Sequence, residues 1–151
     1  MAKRFKYRFE ALRRLHELAR DEALRRLAEA QQAEQVLRDR LAELQQQRQA
    51  VRQSTAGQMV GQISLDALLD QGRYDVHLEL QQREIRQQLG QIEEEIERRA
   101  QRVTLAEQEY RKFEKLKEHA LEEYGQAQLR EQQAALDEIA SQRAGLHQGD
   151  A

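Results

Sequence analysis

Along residues 85–113 apolar side chains return at alternating steps of four and three: Ile85, Leu89, Ile92 and Ile96, then Val103, Ala106, Tyr110 and Phe113. Arg99 is the one interruption. A period of about 3.5 residues is the a/d seam of a coiled coil, and so narrow a stripe needs a second helix to shield it from water. Leu27, Ala30, Glu34, Leu37, Leu41, Leu44, Arg48 and Val51 keep the same register upstream. Before them Leu12, Leu15, Ala19, Ala23 and Leu27 take several steps of four, a phase shift that locally unwinds a left-handed supercoil.

These patterns predict a first helix over about 9–53 and a second over about 75–140. Between them, residues 54–74 form a turn region. It opens at Ser54-Thr55-Ala56-Gly57 and also holds Gly61 and Gly72, at a cost of about 1 kcal/mol for each glycine that a helix has to absorb. Ser64 is placed to cap a short helix over Leu65–Gln71, Gly72 to end it, and Asp75 to cap the long helix that follows. At about 1.5 Å per residue the second helix outruns the first by about 30 Å. The expected fold is all-α: one elongated domain, a long antiparallel two-helix coiled-coil hairpin with a C-terminal helical overhang. Residues 141–151, with Gly145 and Gly149, are expected to form a flexible tail.

Folding about residue 62 sets Phe9 opposite residue 115 or so, and gathers Phe5, Tyr7, Phe9, Tyr110, Phe113 and Tyr124 at the open end. There they either clamp the two helices together or share in partner binding. Tyr74 alone among the aromatics belongs to the tip, with Leu65, Leu68, Leu69, Val76, Leu78 and Leu80. Tyr74, Leu78 and Ile85, beside Gln81, share one helix face. Two readings apply: the face caps the hairpin's own core, or it docks a partner helix.

Composition narrows the classes. Proline is absent, charged residues make up 34 % and apolar residues 39 %, which suits a long helix and not a layered core. The net charge of −2 gives no general attraction to nucleic acid. The first fourteen residues are an exception: Lys3, Arg4, Lys6, Arg8, Arg13 and Arg14 face only Glu10, a local balance of +5. No cysteine is present, so disulfides and thiolate metal sites are excluded, and a reducing cytoplasm fits. The basic start is followed by alternating charges, unlike a signal peptide, and no stretch offers the roughly 20 apolar residues of a membrane span.

Chemistry is hard to place on such a chain. His16, His77, His119 and His147 never pair at the i,i+4 spacing of a helical zinc site. The acidic run Glu93-Glu94-Glu95 and Glu97 precedes Arg98, Arg99 and Arg102, which predicts surface pairs Glu94–Arg98 and Glu95–Arg99. No phosphate-binding glycine loop and no nucleophile triad are discernible. No enzyme, cofactor or metal is expected.

Two segments carry a family resemblance. Phe5-x-Tyr7-x-Phe9-Glu10-x-Leu12-x-x-Leu15-x-x-Leu18, before an Ala/Glu/Arg-rich helix, resembles the start of the FliJ family of flagellar type III export proteins. The run from Glu107 through Tyr110-Arg111-Lys112-Phe113-Glu114-Lys115-Leu116-Lys117-Glu118 resembles that family's late charged patch. The resemblance implies a cytoplasmic, non-enzymatic export component held at the inner membrane by the export apparatus. Its fold would be similar to the two-helix stalk of a rotary ATPase gamma subunit. It also implies three partners: the hexameric export ATPase at the open end, the cytoplasmic domain of the export gate protein at the tip, and export chaperones. No nucleic acid and no direct membrane insertion are implied. By position, the gate-binding face carries over to Tyr74, Leu78, Gln81 and Ile85. Gln81 and Ile85 depart from the small residue and the histidine of the family pattern, so the match is firmest at Tyr74 and Leu78. Two alternatives stand beside this: the equivalent stalk of a virulence secretion system, which shares the fold, and a structural coiled-coil spacer or homodimer.

Overall fold

The computed structural model describes residues 4–58 and 64–149. Two helices account for nearly all of them: α1 over Glu10–Gln58 and α2 over Leu65–Gln148. They pack against each other as a helical hairpin, and no strand occurs among the described residues. The absence of proline and the abundance of Ala, Leu, Arg, Gln and Glu let each run this far.

The helix ends have local causes. At the start of α1 the amide of Glu10 donates to the Tyr7 carbonyl at 3.2 Å, and Glu10 itself sets a carboxylate in the first turn. Ser64 caps α2 as its position suggests: its hydroxyl accepts the Ala67 amide at 3.5 Å, and its carbonyl accepts the Leu68 amide.

Three boundaries differ from the sequence reading. Ser54–Gly57 stays helical, with the Thr55 hydroxyl 2.7 Å from the Gln71 side chain across the hairpin, a contact that holds this turn against α2. Gly61 lies outside the described residues. Gly72 ends nothing: α2 runs through it, and Asp75 is engaged by α1 and does not serve as a cap. At the other end α2 reaches Gln148, where a flexible tail was expected from residue 141. Gln142, Arg143 and Ala144 are good helix formers, and one interior glycine, Gly145, costs only about 1 kcal/mol.

Contacts divide the chain into two compact units, Met1–Arg20 with Leu105–Ala151, and Asp21–Thr104. In the second unit the core is thin. Leu44 and Leu78 are fully buried and pack with Ile85 and Leu89, flanked by Leu37, Leu41, Val51 and Ile92. Arg48 enters this seam and makes a polar node. Its guanidinium donates to both carboxylate oxygens of Asp75 (3.0 and 3.1 Å) and to the Gln82 amide oxygen (3.1 Å), and Gln82 is almost wholly buried. Further along, Arg99 occupies the interruption in the seam and donates to the Arg26 carbonyl at 2.6 Å. Surface pairs reinforce both helices: Glu34–Arg38 forms on α1, Glu95–Arg99 forms on α2 as expected, and Arg98 turns to Glu95 and not to Glu94.

In the first unit the leucines expected in the seam face outward. Leu12 is 42 % exposed and Leu15 61 %. The inner face of α1 is taken by Arg13, His16 and Arg20, which meet α2. The reason is the surface α2 presents. Flat aromatic rings at Tyr110 and Phe113 accept a guanidinium or an imidazole face-on as readily as an aliphatic chain.

Candidate functional site

The residues expected at the open end all belong to the first unit, and the fold brings most of them into contact. Residues 4–8 run irregularly ahead of α1, with Phe5 and Tyr7 half-buried and Arg4, Lys6 and Arg8 exposed between them. Phe5 packs on Tyr124 with ring centres 5.4 Å apart, and the Tyr7 hydroxyl donates to the Phe113 carbonyl at 3.4 Å. Phe113 stacks on His16 at 4.7 Å with planes 15° apart, and Arg20 lies 4.3 Å over Tyr110. Phe9 is the exception. It is 40 % exposed, meets Tyr7 edge-on at 6.0 Å and carries Arg8 above its ring.

Charge binds the same end. Arg13 donates to Glu114 (2.9 Å) and Glu10 (2.7 Å), Lys117 reaches back to Glu10 (3.2 Å), and the Tyr110 hydroxyl donates to Glu114 (2.7 Å). The hydrogen bonds from Arg13, with Lys117 beside it, pull the Glu10 carboxyl down to about 2. Glu114 is held low first by the Tyr110 hydroxyl and then by Arg13, and the same bond pushes the Tyr110 phenol up. A carboxyl depressed on folding stabilises the fold above its unfolded value and loses that contribution as pH falls through its folded value. Acidification from about 4.5 to about 2 therefore loosens the open end. The melting temperature is expected to fall across that window, and to fall less in Glu10→Gln, as thermal melts followed by circular dichroism will register.

The tip face divides. Leu78 and Ile85 lie in the hairpin's own core, 2 % and 9 % exposed, while Tyr74 is 47 % exposed and Gln81 is half-exposed, its amide 3.2 Å from the His77 ring. The physical reason is register. Continuing the Ile85 series backwards by three and four gives Gln82, Leu78, Asp75, Gln71 and Leu68, which is the face that meets Val51, Thr55 and Arg48. Tyr74 and Gln81 sit at its edge. The accessible apolar residues here are Tyr74, Leu65, Leu69, Val76 and Leu80.

His16 stands near the seam in the sequence pattern, in keeping with its stacking on Phe113, whereas sequence reasoning missed the Arg13 and Arg20 contacts with α2. Arg48, by contrast, could be found, being a charge at a seam position. No group of three or more His, Cys, Asp or Glu able to hold a metal occurs among the described residues, and none of their helices is long and apolar enough to cross a membrane.

Neither the curated proteins nor the solved structures supply a match to this chain. The family model described as Flagellar FliJ protein does match, over residues 5–149, which takes in both helices and the aromatic start. With a two-helix hairpin beneath that match, the chain belongs to the FliJ family of flagellar export proteins.

Proposed function

We propose that this chain is the stalk of a flagellar type III export ATPase, a non-catalytic component that enters the ATPase ring by its open end and meets the export gate and substrate chaperones elsewhere. The observation that carries the reading is the family match across residues 5–149 on a helical hairpin. The cationic start suits an acidic ring lumen, and such contacts weaken with salt. At the tip, Tyr74 and Gln81 are the accessible members of the gate-binding face, with Leu78 and Ile85 holding the helix beneath them. The chain sits at the inner membrane through these partners. Work on the ring arises if the stalk binds some ring conformations more tightly than others.

Hexameric export ATPase assayed with and without the chain tests this. Stimulated turnover or a stabilised ring is expected at about one chain per hexamer, because a single stalk biases the whole ring. Unchanged turnover, with no co-sedimentation, removes the reading.

A further inference from the structure

The first unit leaves an apolar and cationic surface turned to solvent, and nothing among the described residues covers it. Ala11 and Leu15, and beside them Arg14 and Leu18, are pairs four residues apart on the side of α1 away from α2, with Leu12 at its edge. Leu15 and Leu18 are 61 % and 64 % exposed, higher than a helix flank in a packed hairpin requires. Ahead of them Arg4, Lys6 and Arg8 are exposed while the aromatics between them turn to α2. Among the described residues none of Arg4, Lys6, Arg8 and Arg14 pairs with a carboxylate. The carboxylates of this stretch, Glu10 and Glu17, both turn to Arg13, which lies on the inner face. What remains outward is aliphatic and positively charged.

We propose that this face, Leu12, Leu15 and Leu18 with Arg4, Lys6, Arg8 and Arg14, lies against an anionic phospholipid surface. An interfacial helix buries a leucine stripe at the boundary of headgroups and acyl chains, while flanking Arg and Lys extend to the phosphates. Charge complementarity selects the occupant: the patch is cationic although the chain as a whole carries −2, so the attraction of this face to an anionic bilayer is local. An acidic protein groove would meet the same charges. It would also need a shaped hydrophobic counterpart, whereas a bilayer accepts leucine side chains without one. The inference needs neither ATPase nor gate, and the vesicle assay is run without them because Arg4, Lys6 and Arg8 belong to the same cationic start proposed above for the ring lumen.

Co-sedimentation of the full chain with vesicles tests it. Phosphatidylcholine vesicles containing about 30 mol % phosphatidylglycerol are expected to retain the chain at low salt and to release most of it at about 0.5 M salt, with pure phosphatidylcholine retaining little. Leu15→Gln with Leu18→Gln, two exposed positions where glutamine sustains a helix, is expected to weaken retention at least about fivefold with unchanged helicity and melting. Arg8→Gln with Arg14→Gln is expected to do the same. Leu129→Gln with Leu136→Gln, exposed leucines outside the patch, is expected to bind as the parent does. Failure to bind anionic vesicles overturns the proposal, as does equal retention of the Leu15/Leu18 variant or equal loss in the Leu129/Leu136 variant. Should the Leu15/Leu18 variant lose the export ATPase hexamer while the parent ignores vesicles, the face belongs to a protein groove and the lipid assignment falls.

Discussion

Leu44→Ala and Leu78→Ala each lower the melting temperature of the hairpin by about 10 °C or more, as circular dichroism at 222 nm will show. Both side chains are fully buried, and the cluster around them is small: Ile85 and Leu89, with four partly buried neighbours. A Leu→Ala exchange in a packed core removes about 2–5 kcal/mol, and a two-helix seam has few other layers to share the loss. Tyr74→Ala, one turn away and half-exposed, leaves the melt nearly unchanged. The contrast separates two roles that share one helix face. On the stalk role proposed above, a loss of gate binding in Tyr74→Ala would report a contact, whereas in Leu78→Ala it would report a loosened core. The double variant Leu44→Ala with Leu78→Ala costs something other than the sum, because the two belong to one cluster.

Arg48→Ala destabilises by about 1–3 kcal/mol, since it strands the Asp75 carboxylate and the buried Gln82 amide without their shared donor. Replacing all three together, as Arg48→Met, Asp75→Leu and Gln82→Leu, restores or exceeds the parent melting temperature, because an apolar cluster carries no desolvation penalty. Something else is then lost. A polar residue at one seam position fixes which residues face each other and how many chains join, so the apolar triple variant is expected to populate dimers or shifted pairings. Analytical ultracentrifugation distinguishes the outcomes: a monomeric, fully stable triple variant would show that the node is dispensable for register.

How much of this was legible beforehand depends on which half of the chemistry decides. The 3.5-residue series from Ile85 to Phe113 contained the hairpin, since a stripe of that width admits few other partners. The same series extended backwards passes through Leu78 and Gln82, so the division of the Tyr74 face was present in the register and obscured by reading spacing alone. The open end was less legible. Leu12 and Leu15 look like core by pattern, yet rings on α2 take His16 and Arg20, and the Glu114 carboxylate takes Arg13, in their place, and no single-helix periodicity reports what the opposite helix offers. The boundaries failed where tertiary contacts outweighed local breakers, as Thr55 and Gln71 do across Gly57.

Beyond Gln128 the described part of α2 has no counterpart on α1. Leu129, Leu136, Ile139 and Leu146 stand 50–74 % exposed on some twenty residues of helix. A helix of that length without tertiary support is marginal in water. In solution the segment is expected to exchange with unwound chain, and a protein that recognises its helical form then first meets the fraction already wound. Apparent affinity is scaled by that fraction. Cooling raises it, so capture by this segment tightens toward low temperature, and a fixed apolar contact, weakened by cooling, runs the other way.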